Sequence, residues 1–167
     1  LFVVEDSAHA HGTQWRGKGC GTFGEFGTFS CQMGKNLTCG EGGIVLTNDE
    51  ELAAKAFGYH HIGRIADRPF YEHHFVASNL RMTEWQGAIA YTQCQRLAAQ
   101  NEQRMVNFRH LEAGMADIPG IDAIEWDPEI VTRRGCYFYH FKFNSAEFEG
   151  LPRGRFDEAM AAEGVSL

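Results

Sequence analysis

Basic residues are scarce in this 167-residue sequence, and no run of them is longer than the pair Arg133–Arg134. Its 15 Lys and Arg against 22 Asp and Glu give a formal net charge of −7. A nucleic-acid-binding surface needs a basic patch or stripe, so the charge pattern argues against a nucleic-acid partner. Long apolar runs are also missing: no stretch approaches the roughly 18 residues of a membrane span, and no signal peptide is visible. We therefore expect neither a nucleic acid nor a membrane as a partner.

Cysteines are few and follow neither a disulfide pattern nor a metal-binding pattern. The five of them are odd in number and lack C-x-x-C spacing, which is most simply explained by a reducing cytoplasm. The cysteines are not placed to complete a zinc site with the histidines, so we expect no metal site. Those histidines form three close pairs: His9 and His11, His60 and His61, and His73 and His74.

The two ends of the sequence and a shift in composition indicate how the chain is organised. It begins within an apolar, strand-like run, Leu1–Val4, and Gly164–Leu167 follows a predicted helix where a strand would be expected to continue. We therefore expect the chain to be a piece of a larger protein at both ends. The composition shifts after Pro119–Gly120, which favours a division into residues 1–120 and the beginning of a second, smaller domain at 121–167.

The first apolar run predicts a strand with a functional residue at its end. Leu1–Val4 is continuously apolar, as is typical of a strand buried on both faces in a parallel sheet. It delivers Asp6 at its carboxyl end, where ligands bind in open α/β sheets. Asp6 is therefore a functional candidate, with a helix cap or a turn aspartate as the alternative. Two further strands, Thr28–Ser30 and Gly43–Thr47, would form a hairpin-like unit, so the predicted sheet is mixed.

Helical signals follow in the rest of the chain. Asn48–Asp49 is predicted to cap a helix that ends at Gly58, and a capping box at Thr83–Gln86 opens the longest helix. A Trp and Met face on that helix is typical of a core or a subunit interface, and its predicted members are Met82, Trp85, Ile89 and Leu97. The other expected elements are an irregular ordered loop at 59–79, continuation of the long helix to about Gly120, an edge strand within Cys136–Phe143 and a helix at Arg155–Glu163.

The segment GTFSCQMGKNLTCGEGG at 27–43 carries one lysine, Lys35, in a loop bounded by glycines. Such a loop can desolvate the side chain and free its amine as a nucleophile, which is the requirement for a Schiff-base lysine. The alternative is an ordinary solvated surface charge.

Upstream, Gly19, Gly21 and Gly24 match G-x-G-x-x-G. No hydrophobic strand precedes them and no helix follows, so a turn-rich loop is favoured over a dinucleotide site.

Three linked motifs resemble one known enzyme family. EDSAHAHG at 5–12, FGTFSCQMGKNLTCGEGGIVLTNDEELA at 26–53 and SNLRMTEWQGAIAYTQCQRL at 78–97 are similar, in order and spacing, to motifs of the DegT/DnrJ/EryC1/StrS aminotransferases. These enzymes use pyridoxal 5′-phosphate (PLP) and have the α/β fold of type I PLP-dependent transferases. The resemblance implies that residues 1–120 are the C-terminal part of the large, mixed-sheet PLP-binding domain. It implies that residues 121–167 begin the small C-terminal α/β domain.

The resemblance also implies roles for five residues. Lys35 would form the internal aldimine with PLP, Asp6 would pair with the pyridine nitrogen, and Ser30 would bind the phosphate. His9 stands where the family often has a glutamine near the cofactor ring. Asn79 matches an asparagine that reaches the phosphate of the neighbouring subunit, which implies a homodimer with a shared site.

The implied reaction moves an amino group from glutamate or glutamine to a keto-sugar or cyclitol ketone. Cys31 and Gln32 depart from the usual family residues. Gln32, together with AHAHG at 8–12 and WRGKG at 15–19, resembles the subgroup that acts on scyllo-inosose and related cyclitol ketones. One alternative is a PLP-dependent sugar dehydratase. Members that dehydrate sugars at C3 tend to have histidine in place of Lys35, whereas aromatising dehydratases keep the lysine. Another alternative is a catalytically silent homologue for binding or regulation, which would have no chemical reason to keep Asp6, Ser30 and Lys35 together.

Overall fold

A computed structural model describes residues 1–165 of the chain, in which strands and helices are mixed. This content confirms the predicted α/β class. The elements in chain order are β1 (Val4–Asp6), β2 (Gln14–Trp15), β3 (Lys18–Gly19), β4 (Phe26–Ser30), β5 (Gly43–Leu46), α1 (Glu50–His60), α2 (Glu84–Met115), β6 (Ile121–Ala123), β7 (Phe141–Phe143), a short 3-10 helix (Ser145–Phe148) and α3 (Arg153–Ala162).

The main sheet has three strands in the order β1, β4, β5. β1 and β4 are parallel, with Asp6 opposite Thr28, and β4 and β5 are antiparallel, with Ser30 opposite Gly43. The mixed sheet and the hairpin around the Lys35 loop are therefore confirmed. The carboxyl ends of parallel strands lie along the same side of a sheet, so β1 and β4 end on the same side. We call this side, where the strands end, the carboxyl-end edge of the sheet.

The expectation that the first strand is buried on both faces is wrong. The strand begins at Val4 instead of Leu1, and the side chains of Val3 and Val4 are 47% and 55% exposed. Among the described residues, β4 is the strand paired with β1, and the other edge of β1 has no strand beside it. An apolar run specifies extended backbone, but its burial requires layers on both faces, and those layers are not encoded in the run itself.

The glycine-rich segment between β1 and β4 forms turns around a small hairpin, as predicted. β2 and β3 pair antiparallel, with Gln14 opposite Gly19. Gly17 connects them with φ +77°, in the left-handed region that favours glycine. No helix lies between this segment and β4. The prediction of a turn-rich loop instead of a dinucleotide-binding motif is therefore confirmed.

Helix α1 begins as predicted and ends later. Asp49 caps it, since its Oδ1 accepts a hydrogen bond from the backbone N of Leu52 at 2.9 Å. Gly58 was expected to end the helix, but α1 continues to His60 with Gly58 buried inside it. A Cβ at Gly58 would lie 2.5 Å from Cζ of Phe75, so glycine is required there by close packing of the following loop.

Helix α2 has the predicted capping box and a different packed face. Thr83 Oγ1 accepts from the backbone N of Gln86 at 3.3 Å, while the backbone N of Thr83 donates to the Gln86 side chain at 2.8 Å. Of the expected apolar face, Met82 and Leu97 pack against buried residues, whereas Trp85 is 84% exposed and Ile89 is 47% exposed. The interpretation of the exposed part as a subunit interface stays a prediction. The buried positions of α2 are Ala90 and Asn101. The helix ends at Met115, and turns occupy the interval to Gly120.

The irregular loop at 59–79 is confirmed beyond the end of α1, with one isolated bridge between His61 and Asn79.

A small core lies beneath the Lys35 loop. Its buried members are Cys31, Leu37, Cys39 and Ala90, and Ile44, Met82 and Leu97 pack against them. Among residues 1–165, no helix is both long and apolar enough to cross a membrane.

The chain separates into two compact units. The first comprises residues Leu1–Gln103 and Asp127–Tyr137, and the second comprises Arg104–Trp126 and residues 138–165. In the second unit, β6 and β7 pair antiparallel, and β7 is shorter than the strand expected within Cys136–Phe143. The predicted helix at Arg155–Glu163 is observed as α3. The strand expected to continue from Gly164–Leu167 falls partly outside the described residues, and the assignment of 1–120 and 121–167 to the two family domains stays a prediction.

Candidate functional site

Three of the residues singled out by the sequence lie at or just beyond one edge of the main sheet. Asp6 is the last residue of β1 and Ser30 is the last residue of β4, and the two strands run parallel. Lys35 follows in the loop that joins β4 to β5. The sheet topology therefore gathers a carboxylate, a hydroxyl and an amine at its carboxyl-end edge, where ligands bind in open α/β sheets.

The Lys35 loop is fixed by short-range hydrogen bonds. The backbone N of Lys35 donates to the carbonyl of Gln32 at 2.9 Å, and the Gln32 side-chain oxygen accepts from the backbone N of Gly34 at 2.7 Å. Ser30 Oγ accepts from the backbone N of Gln32 at 3.3 Å, which leaves its hydroxyl proton available for an acceptor. Lys35 itself is half-buried. This turn sets the direction in which the lysine leaves the sheet.

Asp6 is observed in one of the two roles that the sequence left open, that of a turn aspartate, and its functional role stays a prediction. Its Oδ1 accepts from the backbone N of Ala8 at 3.1 Å, which is the contact of a turn aspartate. The side chain is nevertheless exposed at the sheet edge. Its second oxygen is therefore placed to accept a hydrogen bond from a ligand.

His9 and Lys35 meet at a residue that sequence reasoning missed, Tyr137. The His9 ring stacks on the Tyr137 ring, with 4.2 Å between ring centroids and 26° between planes. The Nζ of Lys35 lies 4.8 Å from the centroid of the same ring, within the range of a cation–π contact. The aromatic run around Tyr137 was visible in the sequence, but nothing in its spacing linked it to Lys35.

Asn79 is not brought to this group of residues within the chain itself. Its side-chain oxygen accepts from Nε of Arg81 at 2.8 Å, and its backbone bridges to His61. These contacts belong to the loop beyond α1, and Asn79 is exposed there. Its predicted role in a neighbouring subunit stays a prediction.

His11 is a second residue beside the site that sequence reasoning did not assign to it. It is 3% exposed, and its ring lies 5.4 Å from that of Phe29. Burial lowers the pKa of His11, an effect that the Ser30 backbone opposes and that the nearby Lys35 and His9 reinforce. Neither ring nitrogen makes a hydrogen bond of standard geometry with the described residues. His11 is therefore a buried histidine whose pKa lies below its ordinary value.

The groups available for chemistry at the carboxyl-end edge are an amine, a carboxylate and a hydroxyl. A lysine amine can condense with an aldehyde, a carboxylate can hold a protonated ring nitrogen, and a hydroxyl can donate to a phosphate. Across the part of the chain that the structure describes, no three His, Cys, Asp or Glu side chains are grouped as a metal site requires.

The sequence is similar to curated enzymes over most of its length. An L-glutamine:2-deoxy-scyllo-inosose aminotransferase of Micromonospora echinospora is 38% identical over 170 residues, covering 96% of this chain and 40% of that protein. A dTDP-4-dehydro-2,6-dideoxy-D-glucose 3-dehydratase of Saccharopolyspora spinosa is 34% identical over 148 residues, covering 72% of this chain and 31% of that protein. The chain spans about 40% of the length of the first curated relatives that it matches.

The fold is similar to that of solved aminotransferases. The crystal structure of an aminotransferase from Streptoalloteichus hindustanus superimposes with a TM-score of 0.88 and 25% identity, covering 99% of this chain and 43% of that one. This likeness confirms the predicted fold, which is part of the fold of the PLP-dependent transferases. The sequence profile of the DegT/DnrJ/EryC1/StrS aminotransferase family matches residues 1–166. The chain therefore belongs to the DegT/DnrJ/EryC1/StrS aminotransferase family.

Proposed function

We propose that the full-length protein containing this chain is a PLP-dependent aminotransferase. It would move an amino group from glutamate or glutamine to a cyclitol ketone or keto-sugar. The observation that carries the proposal is the Lys35 amine at the carboxyl-end edge of the sheet, in a chain of an aminotransferase family. Relatives named as L-glutamine:inosose aminotransferases support the cyclitol ketone as acceptor and glutamine as donor.

The residues at the sheet edge fit PLP by the chemistry of their donors and acceptors. Lys35 would hold the aldehyde carbon through Nζ, Asp6 would accept a hydrogen bond from the protonated pyridine nitrogen, and the Ser30 hydroxyl would donate to the phosphate. The Ser30 proton and the second Asp6 oxygen are the groups that local hydrogen bonds leave available for this purpose. When bound, PLP supplies an electron sink for negative charge at the carbon from which a proton is removed.

The work of this chain is to orient groups and move a proton. Once released from the cofactor, Lys35 Nζ would accept the α-proton of the amino donor as general base. As general acid it would then deliver that proton to the carbon that was the aldehyde carbon of the cofactor. Asp6 would keep a proton on the ring nitrogen, because a carboxylate favours the charged form of a nearby base. His9 and Tyr137, stacked beside Lys35, would exclude water from one side of the amine.

We infer that the active form is a cytoplasmic homodimer whose two sites are shared. Asn79 would reach the phosphate bound by the partner subunit, as the family resemblance implies. Trp85 and Ile89 on α2 are exposed apolar side chains, which supports a subunit interface on this helix. None of the five cysteines, all of which lie among the described residues, is in a disulfide, which suits a reducing compartment.

A dehydratase is the second candidate, and the observation that favours it is the similarity to a named sugar 3-dehydratase. Lys35 argues for transamination, since the C3 dehydratases of the family tend to have histidine at this position. A catalytically silent homologue is disfavoured because Asp6, Ser30 and Lys35 are all retained.

The test is an assay of the purified full-length protein with PLP, glutamine and either 2-deoxy-scyllo-inosose or a nucleotide-linked keto-sugar. We expect an aminated product, and we expect Lys35→Ala to lower its rate of formation by about 10²–10⁴-fold, the range of a general base. Lys55→Ala, which alters an exposed lysine on α1, is the matched control and should leave the rate unchanged. Full activity in Lys35→Ala, or loss of water from the sugar without gain of an amine, would contradict the proposal.

A further inference from the structure

A single aromatic ring supports both the histidine and the lysine of the site. The Tyr137 ring has the His9 ring stacked 4.2 Å away, and the Lys35 Nζ lies 4.8 Å from its centroid. The face of an aromatic ring carries partial negative charge, so it attracts an ammonium group placed over it. Tyr137 is half-buried, which limits the access of water to this contact. The ring can therefore restrict where the flexible lysine side chain points.

The segment that carries Tyr137 is bonded to two other parts of the first unit. We call residues 127–137 the strap, because they lie across the turn that precedes β2 and its hairpin. The backbone N of Gln14 donates to the carbonyl of Arg133 at 2.9 Å, and Arg133 forms an ion pair with Glu102 at 2.8 Å. The strap is thus fixed to the glycine-rich segment and to α2.

The end of the strap is bonded to the Lys35 loop itself. Asn36, the residue after Lys35, donates its side-chain amide to the carbonyl of Gly135 at 2.6 Å. The backbone N of Gly135 in turn donates to Oγ1 of Thr13 at 2.9 Å. A Cβ at Gly135 would lie 2.8 Å from the carbonyl oxygen of His11, so the strap approaches this turn as closely as glycine allows. Tyr137 follows two residues later with little freedom to move away from Lys35.

We propose that Tyr137 is a positioning residue for Lys35, its ring face holding the resting amine at the sheet edge while the His9 ring stacks on Tyr137. This positioning role matters for catalysis only if Lys35 is the PLP-binding lysine, so the proposal rests on the proposed function. The contact itself involves only groups of this chain, so it can be measured before any cofactor is added. The property under test is the ring face, because the cation–π attraction needs the ring and not the hydroxyl.

The chain contains a matched control for this contact. The Nζ of Lys18 lies 4.6 Å from the centroid of Phe23, at a distance similar to that in the Lys35 pair. Phe23→Leu therefore removes an equivalent ring from a lysine in the glycine-rich segment. Lys55, exposed on α1, serves as a lysine with no such ring contact among the described residues.

The experiment is trace acetylation of the full-length protein without added PLP, with acetic anhydride as the probe and the rate at each lysine measured by peptide mass. Tyr137→Leu is expected to raise the rate at Lys35 about two- to fivefold relative to Lys55, the effect that a surface cation–π contact supports. Tyr137→Phe should restore the wild-type rate. Phe23→Leu should raise the rate at Lys18 and leave Lys35 unchanged.

Three results would overturn the proposal. An unchanged Lys35 rate in Tyr137→Leu would show that the ring does not hold the amine. An equal rise at Lys35, Lys18 and Lys55 would indicate general loosening instead of a local contact. A rise in Tyr137→Phe as large as in the leucine variant would assign the effect to the hydroxyl. If Tyr137→Leu does not fold, Tyr137→Met removes the ring at similar size and is judged by the same rates. Failure of transamination in the wild type would leave these rates untouched, so the two proposals fail separately.

Discussion

Glu5 and Asp6 are adjacent carboxylates with different surroundings, because successive strand residues point to opposite faces. Glu5 accepts hydrogen bonds from the backbone N–H groups of Gly21, Phe23 and Gly24, at 2.7, 2.5 and 2.8 Å. Burial acts to raise the pKa of Glu5, but these three donors and the nearby Lys18 outweigh it, so the pKa is lowered. Glu5 therefore holds the glycine-rich segment to β1, while Asp6 is left at the site.

Glu5→Gln is expected to lower the free energy of unfolding at pH 7 by about 1–3 kcal/mol, because one anionic acceptor of three backbone donors is lost. A lowered pKa stabilises the fold above the pKa of the unfolded state and ceases to do so as the pH falls through the folded-state value. The difference between the variant and the wild type should therefore shrink below about pH 4.5. Urea titrations of the full-length protein at several pH values measure it.

Glu25→Gln is the matched control for this prediction, since the backbone bond found for Glu25 is a single one, from Val3 at 2.5 Å. Glu25→Gln should lower the free energy of unfolding by less than Glu5→Gln does. A loss for Glu5→Gln that stays the same at pH 3 and pH 7 would contradict the assigned role of the carboxylate.

Gly58 in helix α1 and Gly87 in helix α2 are helical glycines with different surroundings. In α1, a Cβ at Gly58 would lie 2.5 Å from the Phe75 ring and 3.1 Å from the carbonyl of Arg64. In α2, a Cβ at Gly87 would meet nothing within 4 Å. Gly58 therefore lets the loop after α1 pack directly on the helix, whereas Gly87 has no such packing role.

Gly58→Ala is expected to lower the free energy of unfolding by about 1–3 kcal/mol, because the added methyl overpacks the contact with Phe75. Gly87→Ala should instead raise it by up to about 1 kcal/mol, the difference in helix propensity between alanine and glycine. Thermal or urea unfolding of both variants compares the two effects directly. If both substitutions stabilise the protein, the packing of the loop against α1 is not as described.

Local signals in the sequence predicted the elements well, and packing between elements was predicted poorly. The Asp49 cap, the Thr83 capping box and the β4–β5 hairpin each depend on residues a few positions apart, and all three are observed. The exposure of Trp85 could not be deduced, because it depends on which surfaces the rest of the chain covers. A glycine inside a helix likewise gives no sign of the ring that packs against it.

At the scale of the whole molecule, the site is assembled from segments that are distant in the sequence. Asp6 could be singled out from the end of an apolar run, Lys35 from its glycine-bounded loop, and Ser30 from the family resemblance. Two parallel strands and the following loop bring all three to one edge. Tyr137 could not be predicted as a site residue. It approaches Lys35 only because residues 127–137 pack within the first unit, far along the chain from Lys35. Long-range paths of this kind are set by tertiary packing, and the pattern of residues 136–143 indicated only an edge strand.

A shared site predicts complementation between two inactive variants. In a symmetric dimer, Lys35→Ala and Asn79→Ala would each disable both sites, but a mixed dimer would contain one site with both native residues. Refolding an equal mixture of the two full-length variants should therefore restore about a quarter of the wild-type activity. Each variant refolded alone is the control. Activity no higher than that of either variant alone, in a mixture shown to contain mixed dimers, would place Asn79 outside the partner's site.

Lys35 is expected to bind PLP, and borohydride reduction of the full-length protein in the presence of PLP shows which lysine does so. Reduction makes the bond between a lysine amine and the cofactor permanent, so peptide mass mapping locates the residue. We predict one adduct of reduced cofactor, on the peptide containing Lys35, and its loss in Lys35→Ala. A folded, full-length dimer that carries no adduct on Lys35, or carries it on another lysine, would contradict the account.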